Sequence, residues 1–383
     1  MLVFIYKFGV QNLCGAKVQL FLHICKFLLK NGKTLAYVQF LLYLCTVIVE
    51  DLHRAVLESV CQYEQTQVCA LVDEHVAHRW QQMVSLDIPT LIVHGGEDIK
   101  SIEGLKQVWD FLLAHHITRR GVLICVGGGS ITDLGGMAAA TYKRGIDCIH
   151  IPTTLLSMVD AATGGKTGIN YKGMKNILGT FHTPVATLID PEWLSTLPTE
   201  QLLSGFGEML KNAILSDETE WNRLLVYDLD TLDTRSLVPH ISSSLAIKEA
   251  IVATDPHEEG LRKALNFGHT FGHALEALSE GQIAHGYAVL YGMIAELYLS
   301  VTLLDCPKEP LQQLTQLMLH YYGRPQCNCK DRERLMTLMQ QDKKNERADE
   351  INCTLLQKIG EPIINQVITQ EQVAEAWDYL MSL

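Results

Sequence analysis

The chain has 383 residues, 48% of them hydrophobic and 19% charged, an ordinary globular composition that excludes disorder and allows two or three domains with substantial cores. A formal charge of −12 argues against nucleic acid or an anionic membrane as the main partner, because polyanions are repelled over most of such a surface. Any anionic substrate must then be met by a local cationic cluster.

Residues 1 to 45 carry apolar runs, QLFLHICKFLL and TLAYVQFLLYLC, broken by Lys26, Lys30, Lys33 and Gln39. Neither run reaches the roughly 18 residues of a spanning helix, so no membrane anchor is expected. The segment reads as an unmatched extension, dispensable for catalysis. From Thr46 the pattern turns regular: TVIVE as a strand, DLHRAVLESVCQY as a helix, VCALVDE as the next strand, then TLIVHGGED, GLKQVWDFLLAHH and GVLICVGGG. Strands alternating with helices imply a parallel sheet with crossover helices.

The last of these strands runs into Gly127, Gly128 and Gly129 before a helix of small residues, DLGGMAAATYKRG. Glycines let backbone N–H groups approach a pyrophosphate, and the helix N-terminus that follows favours anions. The third Gly of GxGxxG is missing, so the cue is weak alone. Gly164-Gly165-Lys166-Thr167 looks like the end of a P-loop, but Asp160 stands where the first Gly belongs, and a Walker A motif is rejected.

After Asp190-Pro191 the strand signals fade, and helical periodicity is expected to dominate to the C-terminus. The fold class is therefore α/β: a Rossmann-like nucleotide-binding domain with a parallel sheet over 46–190, then an α-helical domain over 191–383. A site between the two halves is the default expectation. In the second half, LRKALNFGHTFGHALEALSEGQIAHG sets His269 and His273 four residues apart, on one helical face, with His285 twelve further on. Upstream, Glu208 and Lys211 lie three apart in GEMLK. Three imidazoles and a carboxylate suffice for a catalytic zinc site with a spare base, whereas the Glu that marks zinc proteases after the first His is absent. Eleven cysteines without framework spacing point to reduced thiols in a cytoplasmic protein, and the pair Cys327 and Cys329 reads as structural.

The ordered set VGGGSITDLGGMAAATYKRG, IPTTLLSMVDAATGGKTGIN, KNILGTFHTP, GEMLK, GLRKALNFGHTFGHA and HG resembles the 3-dehydroquinate synthase family, from about Thr46 to the C-terminus. The resemblance implies a homodimeric shikimate-pathway enzyme that needs NAD and Zn2+ (or Co2+). Its reaction converts 3-deoxy-D-arabino-heptulosonate 7-phosphate, a small sugar phosphate, into 3-dehydroquinate and phosphate. Transient oxidation by NAD, phosphate elimination, reduction and an intramolecular aldol closure follow one another.

Carried over by position, the resemblance implies Glu208, His269 and His285 as metal ligands, with His273 and Glu258 as proton acceptors. It implies substrate contacts at Arg144, Asp160, Lys166, Asn176, Lys211, Lys248, Arg262 and Asn266, plus one of Lys343 and Lys344. A phosphate and a carboxylate on one substrate explain so many cations in an acidic protein. For the cofactor it implies Asp73, Glu97, Lys100, Gly127, Gly128, Gly129, Asp133, Thr153, Thr154, Lys175 and again Lys166. Family members commonly have serines where Ala161 and Ala162 stand, and a Glu where this chain has Tyr287, departures expected to touch supporting hydrogen bonds only. Other sugar-phosphate cyclases, metal-dependent polyol dehydrogenases and a non-catalytic sugar-phosphate-binding paralogue are the rival readings.

Overall fold

The computed structural model describes residues 46–231, 233–340 and 350–383; the apolar extension 1–45 and the pair Lys343 and Lys344 lie outside the described residues, as does the Cys329 side chain. In chain order the strands are β1 (Thr46–Ile48), β2 (Val68–Asp73), β3 (Thr90–Val93), β4 (Val122–Gly127), β5 (Asp147–Pro152), β6 (Lys166–Tyr171), β7 (Met174–Phe181), β8 (Ala186–Ile189), β9 (Ile351–Lys358) and β10 (Glu361–Ile368). The helices are α1 (Leu52–Val60), α2 (Glu74–Met83), α3 (Ile102–Ala114), α4 (Gly129–Thr141), α5 (Thr199–Ile214), α6 (Glu218–Leu225), α7 (Val238–Thr254), α8 (His269–Leu278), α9 (His285–Leu304), α10 (Glu309–Leu317), α11 (Arg332–Gln340) and α12 (Gln370–Ser382).

Unbroken apolar strands such as VLICVG need cover on both faces, and a parallel sheet provides it. Six strands pair in the order β1-β8-β5-β4-β2-β3, all parallel. Alternate residues face opposite ways: Cys69, Leu71 and Cys125 pack under α3 and α4 with Leu105, Val108, Leu134 and Ala138. Ala70, Val72, Ile124 and Val126 face the other way and share a core with Phe206, Met209, Phe271, Val289 and Trp377 of the helical half. The sheet thus serves as the platform on which the helical half is seated.

The chain leaves β2 toward β3 at one edge and returns on the other side of β2 to form β4, so a crevice opens at the C-terminal ends of β2 and β4. Asp73 and the Gly127–Gly129 loop stand at its two lips.

Helix dominates after residue 190 as expected, but β9 and β10 add an antiparallel hairpin that the expectation did not include. Its reversal uses Gly360 at φ +79°, and Leu356 N–H donates to Ser300 Oγ on α9 at 2.9 Å. In INCTLLQK the polar Asn352 and Thr354 interrupt the apolar residues and mask the run, although Thr354 is itself buried. A second hairpin, β6 with β7, turns through Lys172 and Gly173, both at positive φ, and leaves Tyr171, Met174 and Phe181 exposed. One helix among the described residues, α9, is long and apolar enough to cross a membrane, yet 67% of its apolar window is buried inside the protein. It is the central core helix.

Candidate metal and nucleotide centre

Helix α5 is buried from Leu202 to Ile214, and it carries Glu208 and Lys211 into the interior. It can lie against α9 because Gly207 meets Gly286: a Cβ on Gly207 would stand 2.5 Å from the Gly286 carbonyl oxygen. That close approach sets Glu208 beside His285, the first residue of α9. Helix α8 begins with His269 after Gly268 at φ +81°, whose N–H donates to the buried Glu296 carboxylate at 2.7 Å. A side chain at Gly268 would be strained and would also strike Met293 and the Val289 carbonyl.

The three expected ligands converge. Glu208 Oε1 lies 3.2 Å from His285 Nε2 and 3.5 Å from His269 Nε2, and the three donors group within 4.8 Å of one another. The Nδ1 atoms face away: that of His269 meets the Phe267 carbonyl at 3.1 Å, and that of His285 meets Glu276 Oε1 at 3.3 Å. An imidazole held through Nδ1 presents Nε2 to a metal, the usual supporting arrangement. Both Glu208 oxygens are buried without a hydrogen-bond donor in good geometry, although Lys211 Nζ sits 2.5 Å from Oε2 as an ion contact. Lys211 compensates one side of this buried carboxylate, and on the other side the donor set of one carboxylate oxygen and two imidazole Nε2 atoms fits zinc.

Charge runs outward from Glu208 through paired groups. Lys211 also faces Asp160 at 3.6 Å, and Lys248 Nζ donates to Asp160 Oδ1 at 2.6 Å. Asp160 sits in a π-helical turn, Ser157–Ala161, and burial works against its charge, but Lys248 and Lys211 hold it well below the usual carboxylate range. Lys166 bonds Glu258, whose other oxygen accepts from Asn266 Nδ2 at 2.9 Å. Burial opposes the Glu258 charge; Lys166 outweighs it and keeps the carboxyl below its ordinary value. Glu258 is held at φ +62°, a conformation a residue of its type rarely adopts. Arg262 is buried, with Nη1 donating to the Pro256 carbonyl at 2.5 Å and Nη2 to that of Gly164 at 2.9 Å. His273, half-buried, lies with its ring 5.4 Å from that of His269 and 6.3 Å from that of His285.

The nucleotide side gathers at the crevice. Lys100 bonds Asp133 at 2.8 Å and also Asn176, with Glu97 at 3.5 Å. Helix α4 starts at Gly129 with no side-chain cap, leaving its first N–H groups for a ligand. Thr153 N–H donates to the Gly127 carbonyl, and Thr154 Oγ1 meets Ser157 Oγ. A Cβ on Gly95 would lie 2.0 Å from Asp73 Oδ2, so that lip is shaped around the Asp73 carboxylate. These residues fit a dinucleotide.

Two residues sit with the other group than expected. Asn176 joins Lys100 on the nucleotide side, and Lys175 pairs with Glu276 behind His285 at 3.2 Å. Arg144 is not brought to the cluster; it is exposed, at the opposite end of β5 from Thr153. Glu276 was not among the residues singled out from sequence. It lies seven residues after His269 and three after His273, on their helical face, and a buried acid in so apolar a helix was the available signal. Of the departures, Tyr287 packs edge-on to Tyr322 at 4.7 Å, and Ala161 faces Gly129.

Sequence models described as "3-dehydroquinate synthase N-terminal" and "3-dehydroquinate synthase C-terminal" match residues 90–204 and 205–345. The chain belongs to the 3-dehydroquinate synthase family. It is 41% identical over 342 residues to a 3-dehydroquinate synthase of Parabacteroides distasonis, covering 87% of this chain and 96% of that protein. With one from Staphylococcus aureus it shares 35% over 314 residues, 80% and 87% of the two chains. Among solved structures it is similar to ValA, a 2-epi-5-epi-valiolone synthase of Streptomyces hygroscopicus subsp. jinggangensis with NAD+ and Zn2+ bound, at TM-score 0.77 and 25% identity, covering 88% and 96%. A probable glycerol dehydrogenase from Sinorhizobium meliloti shares the fold at TM-score 0.61 and 16% identity, covering 88% and 96%. The chain is an enzyme of this family, and the 3-dehydroquinate synthase reading of its sequence is the one these relatives support.

Proposed function

We propose that this chain is a phosphate-eliminating carbon–oxygen lyase, turning 3-deoxy-D-arabino-heptulosonate 7-phosphate into 3-dehydroquinate and phosphate. The observation that carries the reading is Glu208, a fully buried carboxylate whose Oε2 meets Lys211 and whose Oε1 is faced by the Nε2 atoms of His269 and His285. These three residues would hold Zn2+ or Co2+, and the lip from Asp73 to Gly129, with Glu97, Lys100, Asp133, Thr153 and Thr154, would hold NAD. When bound, the metal supplies Lewis-acid polarisation of a substrate hydroxyl, and NAD supplies a hydride acceptor that later returns what it took.

The chain's own groups do the rest. Glu258 is kept ionised by Lys166 and Asn266, so its oxygens stand ready to accept a proton. His273 offers a second acceptor beside the ligand rings. Lys166, Lys211 and Lys248 supply point charges for phosphate and carboxylate, and Arg262, its plane fixed by two backbone carbonyls, supplies the guanidinium. Asp160 orders Lys211 and Lys248 between them. Arg144 serves the substrate only from a second copy, and the exposed apolar β6–β7 hairpin supports a homodimer. The division at residue 190 is kept, with NAD on the sheet half and the metal on the helical half.

A dehydrogenase sharing this fold would accumulate one NADH per product, so stoichiometry decides the matter. Supplied with NAD far below substrate, the enzyme should release many orthophosphates per NAD with no steady rise in absorbance of reduced nicotinamide. Stoichiometric NADH would return the chain to the polyol dehydrogenases.

A further inference from the structure

Outside the buried centre, Glu74, His75 and His94 form a separate cluster of donors. Glu74 and His75 open α2 immediately after β2, and His94 follows β3, the neighbouring strand, in which Val93 is in register with Asp73. One ligand atom from each lies within 4.8 Å of the other two. His94 Nδ1 meets Glu74 Oε1 at 2.5 Å, and the His75 and His94 rings lie 5.4 Å apart. His75 Nδ1 is held by Asp73 Oδ1 at 2.8 Å, which leaves Nε2 as its outward donor. The carboxylates of Asp73 and Asp98 add negative potential around His94.

We propose that Glu74, His75 and His94 form a second site for a divalent transition metal, zinc or copper, at the rim of the nucleotide crevice. Two imidazoles and a carboxylate suit these ions, and water completes the shell. Bonds of about 2.0–2.1 Å place donors roughly 3–3.5 Å apart. The Glu74 and His94 side chains are 48% and 73% exposed, free to rotate by the remaining distance. Asp73 supports His75 as a carboxylate supports a ligating histidine, and, as a carboxylate at a strand end in the lip proposed to hold NAD, it is also suited to the ribose hydroxyls. A metal on His75 makes its Nδ1–H a stronger donor, so Asp73 is engaged more firmly and NAD binding weakens. This consequence, unlike the site itself, rests on the proposed role of Asp73.

Equilibrium dialysis of the full-length protein against Zn2+ alone should give two zinc ions per chain, and one for His94→Ala or Glu74→Gln at an unchanged metal-free melting temperature. Cu2+ added after the buried centre is filled should show two-nitrogen coordination by electron paramagnetic resonance, falling to one in His94→Ala. A single zinc in the wild type, or full stoichiometry in His94→Ala, overturns the site and leaves Glu74 and His94 as an ordinary ion pair. With the site filled, the NAD Kd should rise about fivefold or more in the wild type and stay unchanged in His94→Ala. Retained second-site zinc with an unshifted NAD Kd would overturn the ribose role of Asp73 and not the metal site.

Discussion

Gly207→Ala tests how the metal centre is built, because the change is far smaller than removal of a ligand. Within a helix, Ala is favoured over Gly by about 1 kcal/mol, so propensity alone predicts stabilisation. Contact decides otherwise. The new methyl would stand 2.5 Å from the Gly286 carbonyl oxygen, about 0.9 Å inside the 3.4 Å at which ordinary contact begins. A backbone oxygen at the start of α9 cannot swing aside as a side chain can, so α5 and α9 must separate. Overpacking of this kind costs about 1–3 kcal/mol, which offsets or exceeds the gain in propensity.

The functional effect should be larger than the effect on stability, because Glu208 and His285 lie next to the two glycines on the helices that move apart. A misplacement near 1 Å can cost about 100-fold in rate, or about 2.7 kcal/mol. Zinc affinity should fall by about 10–100-fold, as when groups supporting a metal site are changed. The assays are a zinc competition titration against a chromophoric chelator and turnover at saturating zinc, with thermal melts to follow stability. If Gly207→Ala binds zinc and turns over like the wild type, the close helix approach does not set the ligand geometry, and the reasoning is refuted.

His150 is fully enclosed in β5, and burial lowers its pKa from the ordinary 6.5 to about 4. The unfolded chain therefore binds a proton that the native state refuses, so stability is lost as pH falls from about 6.5 to about 4, by up to about 3 kcal/mol. Urea unfolding of His150→Gln should show a shallower loss than the wild type across that window, and equal slopes would contradict the assignment. Lys100→Met leaves the Asp133 carboxylate buried without its cation, at a cost of about 3–5 kcal/mol. NAD affinity measured by calorimetry should fall with it; Lys100→Arg should recover part of both, and unchanged NAD binding in Lys100→Met would remove Lys100 from the nucleotide lip.

Much of this centre was legible because helical spacing is local. His269 and His273 share a face whatever the rest of the chain does, and three glycines after an apolar strand mark a strand–turn–helix. The sheet followed from unbroken apolar runs for the same reason. What could not be read was pairing across the chain. Nothing in the sequence joins Lys175 to Glu276, 101 residues apart, or turns Asn176 toward Lys100. The β9–β10 hairpin escaped because its strands mix polar with apolar residues, leaving no run to stand out from helical surroundings. Glu276 and Glu296 escaped for a different cause: a buried carboxylate declares its role through the partner it meets, an imidazole in one case and the Gly268 amide in the other.

The charges in the cleft also say how an anion must enter it. In the cleft stand four cations, Lys166, Lys211, Lys248 and Arg262, and three carboxylates, Glu208, Asp160 and Glu258. Each lysine is already paired, so an anion cannot simply add to a free positive surface; it has to draw lysines away from carboxylates that hold them. Desolvated pairs make that exchange costly unless the same event supplies a new cation to the abandoned carboxylate. A divalent ion on Glu208 does this, since it releases Lys211 from its 2.5 Å contact and raises the local positive charge by two. Metal and anionic substrate should therefore bind with positive coupling, each tightening the other by the same factor. That factor should shrink in Lys211→Met, where no paired lysine remains to be released, and zinc titrations with and without inorganic phosphate measure it directly. Equal coupling in the two proteins would show that Lys211 takes no part in the exchange.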